Sequence, residues 1–242
     1  MSDGTTTTRD GQNVALVHER LRDAILAGDI PPGEATSQIV LARELGVGRT
    51  PLREALRMLQ HEGLVVSQPN RRVRIAELSL TDMEELYVMR ISLEAVAARI
   101  TVPMLTQEDH AELEGLMAQM DHLAESVSPQ LNAAHHAFHA RFTAGVGERP
   151  QVLIGQLFDH AERYRRVFGL SVPGHWALRR EEHRQILDKA KEGDPDGTAE
   201  AIVRHYLRTA KFVAKELDPN HKFERLRVTV ATVAPGALTE LD

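Results

Sequence analysis

Residues 41–56 have the sequence LARELGVGRTPLREAL. Apolar residues recur at helical spacing on both sides of Gly46, whose missing side chain permits a tight turn between two helices. The spacing predicts a short helix over 39–45 and another that begins near Thr50 and Pro51. We expect the hydroxyl residue at the N-cap of this second helix and the proline at its first helical position. The stretch therefore predicts a helix-turn-helix.

The residues around this stretch complete a small folding unit. Apolar residues at helical spacing predict a preceding helix over 14–26, which ends at the proline-glycine turn at 31–33. The second helix of the pair stops at Gly63, and two β-prone pieces follow at 64–67 and 73–75. Three helices and a two-stranded ribbon predict an N-terminal winged helix-turn-helix.

The chain has a different pattern between residues 79 and 217. Prolines recur at intervals of 21–26 residues from Pro103 to Pro219. These intervals suit a helix and its connection, because proline is tolerated in the first turn of a helix and disfavoured inside one. With no strand pattern in this region, we predict a mainly α protein in which a six- to seven-helix antiparallel bundle follows the winged domain. One apolar stripe of the first bundle helix is predicted to consist of Leu86, Met89, Leu93, Val96, Ala97 and Ile100.

Four parts are predicted along the 242 residues. Residues 1–12 are polar and unpatterned, which predicts a disordered lead-in. The winged helix-turn-helix is predicted to span 13–77 and the helical domain 79–217. A tail follows at 218–242, and its β-prone run at 228–233 leaves open whether it adds a strand or stays loose.

The composition excludes several classes of protein. The chain has 42% hydrophobic and 26% charged residues, a globular composition, and contains no cysteine. A disulfide scaffold, a thiolate metal site and a cysteine nucleophile are thereby excluded. No run approaches the ~18 apolar residues of a membrane span, and the first residues lack a signal segment. We therefore expect a soluble cytoplasmic protein with no membrane partner.

Positive charge is concentrated around the predicted helix-turn-helix. The whole chain carries a formal charge of −6, but residues 43–74 contain seven arginines and only three acids. The second helix of the pair presents Arg49, Thr50 and Arg53 near its start, where backbone amides and arginine side chains suit phosphates and guanine edges. An ordinary solvated face is the alternative, but the order of these residues within the helix-turn-helix favours DNA binding.

The sequence resembles the GntR superfamily of bacterial transcription regulators, in its FadR-like branch with an FCD effector domain. The segments that carry the resemblance are 26–33 (LAGDIPPG), 46–56 (GVGRTPLREAL) and 62–65 (EGLV). The resemblance is close over 13–77 and looser over 79–217. It implies a regulator that binds a double-stranded DNA operator as a homodimer.

The resemblance assigns DNA contacts to the recognition helix and to the wing, from which Asn70 and Arg71 would contact the DNA. This chain departs from the family pattern at Ile39, where some members carry a DNA-contacting arginine, and at Arg72, where the wing usually has glycine. The second departure alters the residue at which the wing turns. The predicted DNA-binding residues are Arg43, Gly48, Arg49, Thr50, Arg53, Asn70, Arg71 and Arg72.

Several of the chain's twelve histidines lie in apolar stripes of the predicted bundle helices. His135 and His139 are four residues apart and share one helix face, while His183 and His205 belong to two later stripes. Imidazoles from three helices of a bundle are able to converge on a metal ion. A buried histidine is more often a hydrogen-bonded core residue, and the residues alone leave both interpretations open.

Many FCD domains bind a divalent metal through a carboxylate and three histidines. The resemblance favours such a site, because the pairs at 138–139, 182–183 and 204–205 match the three histidine positions. The carboxylate position holds His135, and its neighbour His136 competes for the same place. If His135 turns away, the other three histidines form a site with open positions. The predicted ligands are His135, His139, His183 and His205.

The ligand set also predicts the kind of metal. Neutral imidazoles leave the charge of a dication uncompensated, and nitrogen donors favour zinc, nickel or copper over the harder manganese. We therefore expect zinc or nickel as the cofactor. The residual positive charge would attract an anionic effector.

Two arginine-bearing segments of the helical domain also resemble family features. Arg90 resembles the arginine that helps clamp the carboxylate of an effector. The alternative is an ion pair with Glu94 one helical turn away, worth only about 0.3–0.5 kcal/mol if exposed. The run RYRR at 163–166 resembles a family stretch too, although a solvated basic face explains it equally well.

These features predict a metabolite-responsive transcriptional repressor. It would bind a pseudo-palindromic operator as a homodimer and respond to a small carboxylate at its metal site. We do not expect an enzyme: a metal-dependent hydrolase would use Glu182 as its base, but no nucleophile or oxyanion motif accompanies it. An acyl-CoA-type or other metal-free effector is the alternative, which the histidines disfavour.

Overall fold

The computed structural model describes residues 6–69, 72–124, 129–168 and 175–242. The chain divides into two compact units, the first ending at Leu78 and the second beginning at Ser79. The first is a winged helix-turn-helix and the second is a bundle of helices. The predicted mainly α architecture is confirmed.

The first unit contains three helices and three strands within the described residues. They are α1 (Thr6–Ala27), β1 (Ala35–Ser37), α2 (Gln38–Leu45), α3 (Arg49–His61), β2 (Val65–Gln68) and β3 (Arg72–Ile75). Because α1 begins at Thr6, the disordered lead-in predicted for residues 1–12 is wrong for residues 6–12.

The turn between α2 and α3 forms at the predicted glycine. Gly46 has a φ of 65°, a left-handed conformation that a residue with a side chain adopts only with strain. Its backbone amide donates to the carbonyl oxygen of Arg43, and this hydrogen bond caps the C-terminus of α2. At the other end of α2, the side chain of Ser37 accepts a hydrogen bond from the amide of Val40 and caps the helix.

Helix α3 begins two residues earlier than predicted. Its N-cap is Gly48 rather than Thr50, and the first helical hydrogen bond runs from the amide of Leu52 to the carbonyl oxygen of Gly48 (3.2 Å). Pro51 consequently occupies the third helical position. It is tolerated there because amides in the first turn of a helix have no intrahelical acceptor.

The strands form an antiparallel sheet in the order β1-β3-β2. Val65 pairs with Ile75, and Ala35 pairs with Arg74 across the other edge of β3. The sequence predicted only the two strands of the wing, so β1 is an addition. A strand of three residues is too short to show an alternating pattern, and it forms because the second edge of β3 is available for pairing.

One hydrophobic core joins the helices and the sheet of this unit. Leu21 of α1, Leu52 and Leu59 of α3 and Val73 of β3 are all fully buried. Because α3 packs against α1 through its apolar face, the opposite face of α3 is exposed. This arrangement presents the first turn of α3 at the surface.

The second unit is the predicted helical bundle. Between residues 79 and 217, the described part of the chain forms six α-helices, and a seventh follows them. None of the helices in the described ranges combines the length and the apolar character that crossing a bilayer requires. The helices are α4 (Leu80–Thr101), α5 (Gln107–Leu123), α6 (Pro129–Arg141), α7 (Glu148–Val167), α8 (His175–Lys191), α9 (Pro195–Leu217) and α10 (Glu224–Val233).

The C-terminal segment packs on the bundle as α10 and a short 3-10 helix, Pro235–Leu241. Both alternatives considered for residues 218–242, an added strand and a loose tail, are therefore wrong. Leu226 and Val230 are fully buried four residues apart, a spacing that suits one face of a helix.

A carboxylate from a distant helix caps α10. The buried side chain of Glu84 on α4 accepts hydrogen bonds from the backbone amides of Arg225 (2.9 Å) and Leu226 (3.2 Å). A negative charge at these amides stabilises the start of a helix. Tertiary contact thus decides the structure of a segment whose own residues are β-prone.

The buried face of α4 coincides with only part of the predicted stripe, of which Leu86 and Ala97 are buried. Met89, Val96 and Ile100, three of the six residues in that stripe, are 46–48% exposed. The buried face also includes Arg90 and Glu94, which form an ion pair with each other. Because charged residues occupy interior positions of this helix, its apolar pattern predicts the buried face only in part.

Candidate functional site

Four histidines from three helices meet in the interior of the bundle. His135 and His139 lie on α6, His183 on α8 and His205 on α9, and all four are at most 4% exposed. Each contributes one ring nitrogen to a group whose atoms all lie within 4.8 Å of one another. The Nε2 atom of His139 lies 3.1 Å from that of His135 and 3.2 Å from that of His183.

His136, which the sequence offers as an alternative ligand to His135, lies outside this group. Its side chain is exposed, and its ring lies tilted by 38° against that of Phe158 with a centroid separation of 4.6 Å. The helical periodicity of α6 places His135 and His139 on the inner face and turns His136 away.

The Nδ1 atoms of two of the histidines face hydrogen-bond acceptors. Nδ1 of His183 lies 2.7 Å from the backbone carbonyl oxygen of Arg179, and Nδ1 of His205 lies 2.7 Å from the carboxylate of Glu182. A carbonyl oxygen only accepts, and a carboxylate accepts when ionised, so in both rings the proton belongs on Nδ1. The lone pair of each neutral ring is then on Nε2, where a metal can bind.

A third ring is oriented by a tyrosine. Nδ1 of His139 lies 3.3 Å from the hydroxyl oxygen of Tyr206, and that hydroxyl donates its own proton to the carboxylate of Glu94. The hydroxyl oxygen is therefore available as an acceptor for the Nδ1 proton of His139. This leaves Nε2 of His139 unprotonated as well.

His135 differs from the other three in its Nδ1 partner. The Nη1 atom of Arg165 on α7 lies 2.9 Å from Nδ1 of His135 and 2.6 Å from the carboxylate of Glu162. The run at 163–166 is thus not a wholly solvated face, because Arg163 and Tyr164 are buried and Arg165 reaches the histidines.

Burial keeps the histidines neutral. Desolvation lowers the pKa of His135, His139 and His205 well below the ordinary value, and the neighbouring positive charges add to this effect. Desolvation also lowers the pKa of His183 to about 4. Neutral imidazole is the form that binds a metal.

The donor set fits a borderline metal ion. Three neutral imidazoles with their Nδ1 protons held by a carbonyl, a carboxylate and a hydroxyl match the way in which proteins orient zinc-binding histidines. His139, His183 and His205 are the residues that would hold the ion. Such a nitrogen donor set suits zinc or nickel better than manganese.

Arg90 is engaged in a buried ion pair. Its Nε atom lies 2.7 Å from Oε1 of Glu94, and its guanidinium carbon lies 4.1 Å from the ring centre of Tyr206. The sequence suggests this ion pair as the alternative to an effector contact. In the structure the pair is buried and not exposed. Because Glu94 also accepts from Tyr206, Arg90 is connected to His139 through two side chains.

A cavity of about 230 Å³ lies beside the histidines. His139 and Glu94 line it on the side of the cluster, and Gln151 and Phe158 line it on the side of α7. Most of its remaining surface is apolar, and the exposed His136 is also part of its wall. The cavity suits a small organic molecule with one polar end.

The predicted DNA-contacting residues that the structure describes lie at the surface of the first unit. Arg49, Thr50 and Arg53 are exposed on the first turns of α3, and Arg43 is exposed on α2. Asn70 and Arg71 lie outside the described residues. The other described members of the predicted set, both exposed, are Gly48 and Arg72.

Sequence reasoning missed the residues that orient the rings. Arg165 belonged to a run with two equally good interpretations, and Tyr206 and Glu94 carried no signal beyond their helical spacing. Glu182 was considered as the base of a hydrolase and as the neighbour of His183 in the family resemblance, but not as the acceptor for the ring of His205. Its position immediately before His183, with a second histidine on the next helix, was the available clue.

Family models match both units of the chain. The model for bacterial regulatory proteins of the gntR family matches residues 14–75, and the model for the FCD domain matches residues 85–208.

Relatives with curated descriptions are described as HTH-type transcriptional regulators or repressors. An HTH-type transcriptional regulator in the TAR-I ttuE-ttuC' intergenic region of Agrobacterium vitis is 35% identical over 136 residues, covering 54% of this chain and 79% of that protein. The HTH-type transcriptional repressor GlaR of Escherichia coli is 24% identical, covering 88% of this chain and 93% of its own length.

Solved structures share the fold. The E. coli McbR/YncC structure has a TM-score of 0.74 at 20% identity, covering 85% of this chain and 99% of that chain. A putative GntR transcriptional regulator from Rhodococcus sp. RHA1 has a TM-score of 0.71 at 20% identity, covering 84% and 97%. At this identity the similarity concerns the fold alone.

Proposed function

The chain belongs to the gntR family of bacterial regulatory proteins and carries an FCD domain, and on this premise we propose that it is a metal-dependent, metabolite-responsive repressor. Members of the family are transcriptional regulators, and this chain is a regulator rather than an enzyme. Beyond family membership, we propose a geometry for the operator, the identity of the metal and the chemical class of the effector.

The first unit binds the operator through α3. Exposed Arg49, Thr50 and Arg53 at the start of this helix support insertion of its N-terminal turns into the major groove, where arginine forks bind guanine and phosphate. Arg43 and Arg72 add positive charge on neighbouring elements. Asn70 and Arg71 contribute from the wing. The backbone at Gly48 approaches the DNA at the N-terminus of α3.

The protein acts as a homodimer on a pseudo-palindromic site. Two-fold symmetry in the protein places two recognition helices on successive turns of the same DNA face. Met89, Val96 and Ile100 form an exposed apolar stripe on α4, and such a stripe supports pairing of two copies through this helix.

The second unit holds a divalent metal, zinc or nickel, among its buried histidines. The observation that carries this part is the matched set of Nδ1 acceptors behind His139, His183 and His205. Lone pairs cannot donate hydrogen bonds to one another, so three Nε2 lone pairs that face one another do not satisfy each other in a core without a metal. A bound dication supplies the positive charge that such a set otherwise lacks.

The effector is a small carboxylate that occupies the cavity beside His139. The positive charge of the metal, supplemented by Arg165, attracts an anion, and the apolar wall accommodates a short carbon chain. Arg90 contributes through its ion pair with Glu94, which lies in the cavity wall. The 230 Å³ of the cavity disfavour a coenzyme A thioester.

Effector binding reduces DNA affinity by population shift. The carboxylate releases the operator only if it binds one arrangement of the bundle more tightly than the other. A differential affinity of about tenfold corresponds to 1.4 kcal/mol, which is within the normal range for allosteric coupling.

The experiment selects binding sites from a library of random DNA duplexes with the purified, zinc-loaded protein. We expect an inverted repeat whose half-sites are about one helical turn apart. A panel of small mono- and dicarboxylic acids is then added to the complex, with the protein stripped of metal as the control. We expect at least one acid to release DNA from the loaded protein alone. A selected sequence without symmetry would contradict the proposal. Release of DNA by the same acid from the metal-free protein would contradict it too.

A further inference from the structure

The four histidines of the cluster do not have the same role. We propose that His135 is not a metal ligand but the hydrogen-bond donor that holds an anion beside His139, His183 and His205. This inference rests on the metal site proposed above and assigns to one residue the recognition of the effector's carboxylate.

The partner of His135 determines where its proton lies. Arg165 is a guanidinium that has donors and no acceptor and stays protonated in proteins. Its Nη1 atom lies 2.9 Å from Nδ1 of His135, so that nitrogen must present its lone pair. Since a neutral imidazole has one proton, the proton of His135 is on Nε2.

Arg165 is itself held in this position. Its Nη1 atom also donates to the carboxylate of Glu162 at 2.6 Å, and Glu162 is 5% exposed. An arginine paired with a buried carboxylate keeps both its charge and its place. The constraint on His135 therefore comes from a fixed pair on α7 rather than from a mobile surface side chain.

The other three rings have the opposite arrangement. Their Nδ1 atoms face a carbonyl, a carboxylate and a hydroxyl, all able to accept, and their lone pairs are therefore on Nε2. One ring of the four thus turns a proton, not a lone pair, toward the centre of the cluster. A nitrogen that carries a proton has no lone pair in the ring plane with which to bind a metal.

The proton of His135 has an acceptor within the cluster. Its Nε2 lies 3.1 Å from Nε2 of His139, a distance that suits an N–H donating to a lone pair. A cation bound at that lone pair would leave the buried N–H of His135 without its acceptor. An anionic oxygen beside the three ligands restores the hydrogen bond, and the nearby charge of Arg165 favours it.

The chemistry of this arrangement selects a carboxylate or another small oxyanion. Three neutral histidines and a dication leave a net positive site, and the N–H of His135 supplies direction. An amine or a second cation has no acceptor on this ring. The anion is therefore recognised by His135 together with the metal, and Arg165 contributes its charge and fixes the proton of His135.

Ring-proton positions in the parent protein provide the first test. Long-range proton–nitrogen correlation spectra of the nitrogen-15-labelled, zinc-loaded protein distinguish Nδ1–H from Nε2–H histidines. We expect the Nε2–H form for His135 and the Nδ1–H form for His139, His183 and His205. An Nδ1–H signal for His135 would overturn the proposal.

Metal and acetate titrations provide the second test. With cobalt(II) as the probe, His135→Ala should keep metal affinity within about threefold, whereas His183→Ala should lose about 100-fold. Acetate, followed through the cobalt spectrum, should bind about tenfold more weakly to His135→Ala and to Arg165→Met. Arg149→Met, which removes an exposed arginine from the start of the same helix, should leave acetate affinity unchanged. Circular dichroism verifies that each variant is folded.

The outcomes separate the two proposals. Loss of cobalt from His135→Ala as severe as from His183→Ala makes His135 a ligand and overturns this inference while leaving the metal site intact. Unchanged acetate affinity in both His135→Ala and Arg165→Met also overturns it. A parent protein that binds neither cobalt nor zinc overturns the metal site and this inference together.

Discussion

The carboxylate of Glu182 lies 2.7 Å from Nδ1 of His205, so one helix supplies both a ring for the cluster and the group that orients a ring of the next helix. Glu182 immediately precedes His183 on α8, and it is largely buried, which raises its pKa. Arg179, 3.4 Å away, opposes that shift by favouring the ionised form.

Replacement of Glu182 by glutamine should weaken metal binding. The amide oxygen still accepts from His205 but lacks the charge that makes the ring a stronger ligand, so we expect a loss of about tenfold in zinc affinity. Competition with a chromophoric chelator measures it. Glu181→Gln, an exposed neighbour on the same helix, is the matched control. Equal affinities in the two variants would show that Glu182 does not orient a ligand.

The metal-free protein should lose stability as the pH falls below neutrality. The pKa of His183 is about 4 in the folded protein and 6.5 ordinarily, so between these values the unfolded chain binds a proton that the folded chain does not. The free energy of unfolding is therefore highest above pH 6.5. It decreases as the pH falls toward 4, by about 1.4 kcal/mol per pH unit for each such histidine.

Urea unfolding in the presence of a chelator at several values of pH measures this slope. The other three cluster histidines have lowered pKa values and should add to it. His183→Ala, which removes one of these buried histidines, should make the slope shallower. A stability that stays constant or increases from pH 7 to pH 5 would contradict neutral burial of the cluster.

Arg49→Ala should weaken specific DNA binding at least several-fold without unfolding the protein. The side chain is exposed at the start of α3, so its removal leaves the core intact, and loss of one base or phosphate contact costs about 1–3 kcal/mol. Gel-shift titration with the selected duplex measures the loss. Arg180→Ala removes the same charge from an exposed site on α8 and should bind DNA like the parent. Parent-like affinity of Arg49→Ala would mean that α3 is not the recognition helix.

Val96→Glu should break the homodimer. Val96 is 48% exposed in the middle of the apolar stripe on α4, and a charge there would be buried against the second copy. Light scattering coupled to size-exclusion chromatography should find a monomer. Val152→Glu places the same charge on a similarly exposed valine of α7 and should remain dimeric. If both variants remain dimeric, the two copies do not pair through α4.

The parts of the fold that depend on local signals were predictable from the sequence. Gly46 marked the turn of the helix-turn-helix because its left-handed backbone requires glycine, and the apolar spacing located α2 and α3 around it. Helical spacing also predicted that His135 and His139 share one face of α6. Their convergence with His183 and His205 on other helices was implied by the family resemblance and not by a local signal.

The parts that depend on contacts between distant residues were not predictable. Helix α10 forms from a β-prone run because Glu84, on another helix, caps it. Three of the six residues of the predicted stripe on α4 are exposed, because the ion pair of Arg90 and Glu94 makes charged positions interior. The different role of His135 depends on Arg165, which only the packing of α6 against α7 brings within 2.9 Å.

The metal content of the purified protein tests the histidine centre most directly. After growth with added zinc and nickel, elemental analysis of the parent should find about one equivalent of metal per chain. His183→Ala should contain essentially none, and His136→Ala should match the parent. A parent protein with no more metal than its buffer, or a His183→Ala variant with as much as the parent, would contradict a metal centre built on these histidines.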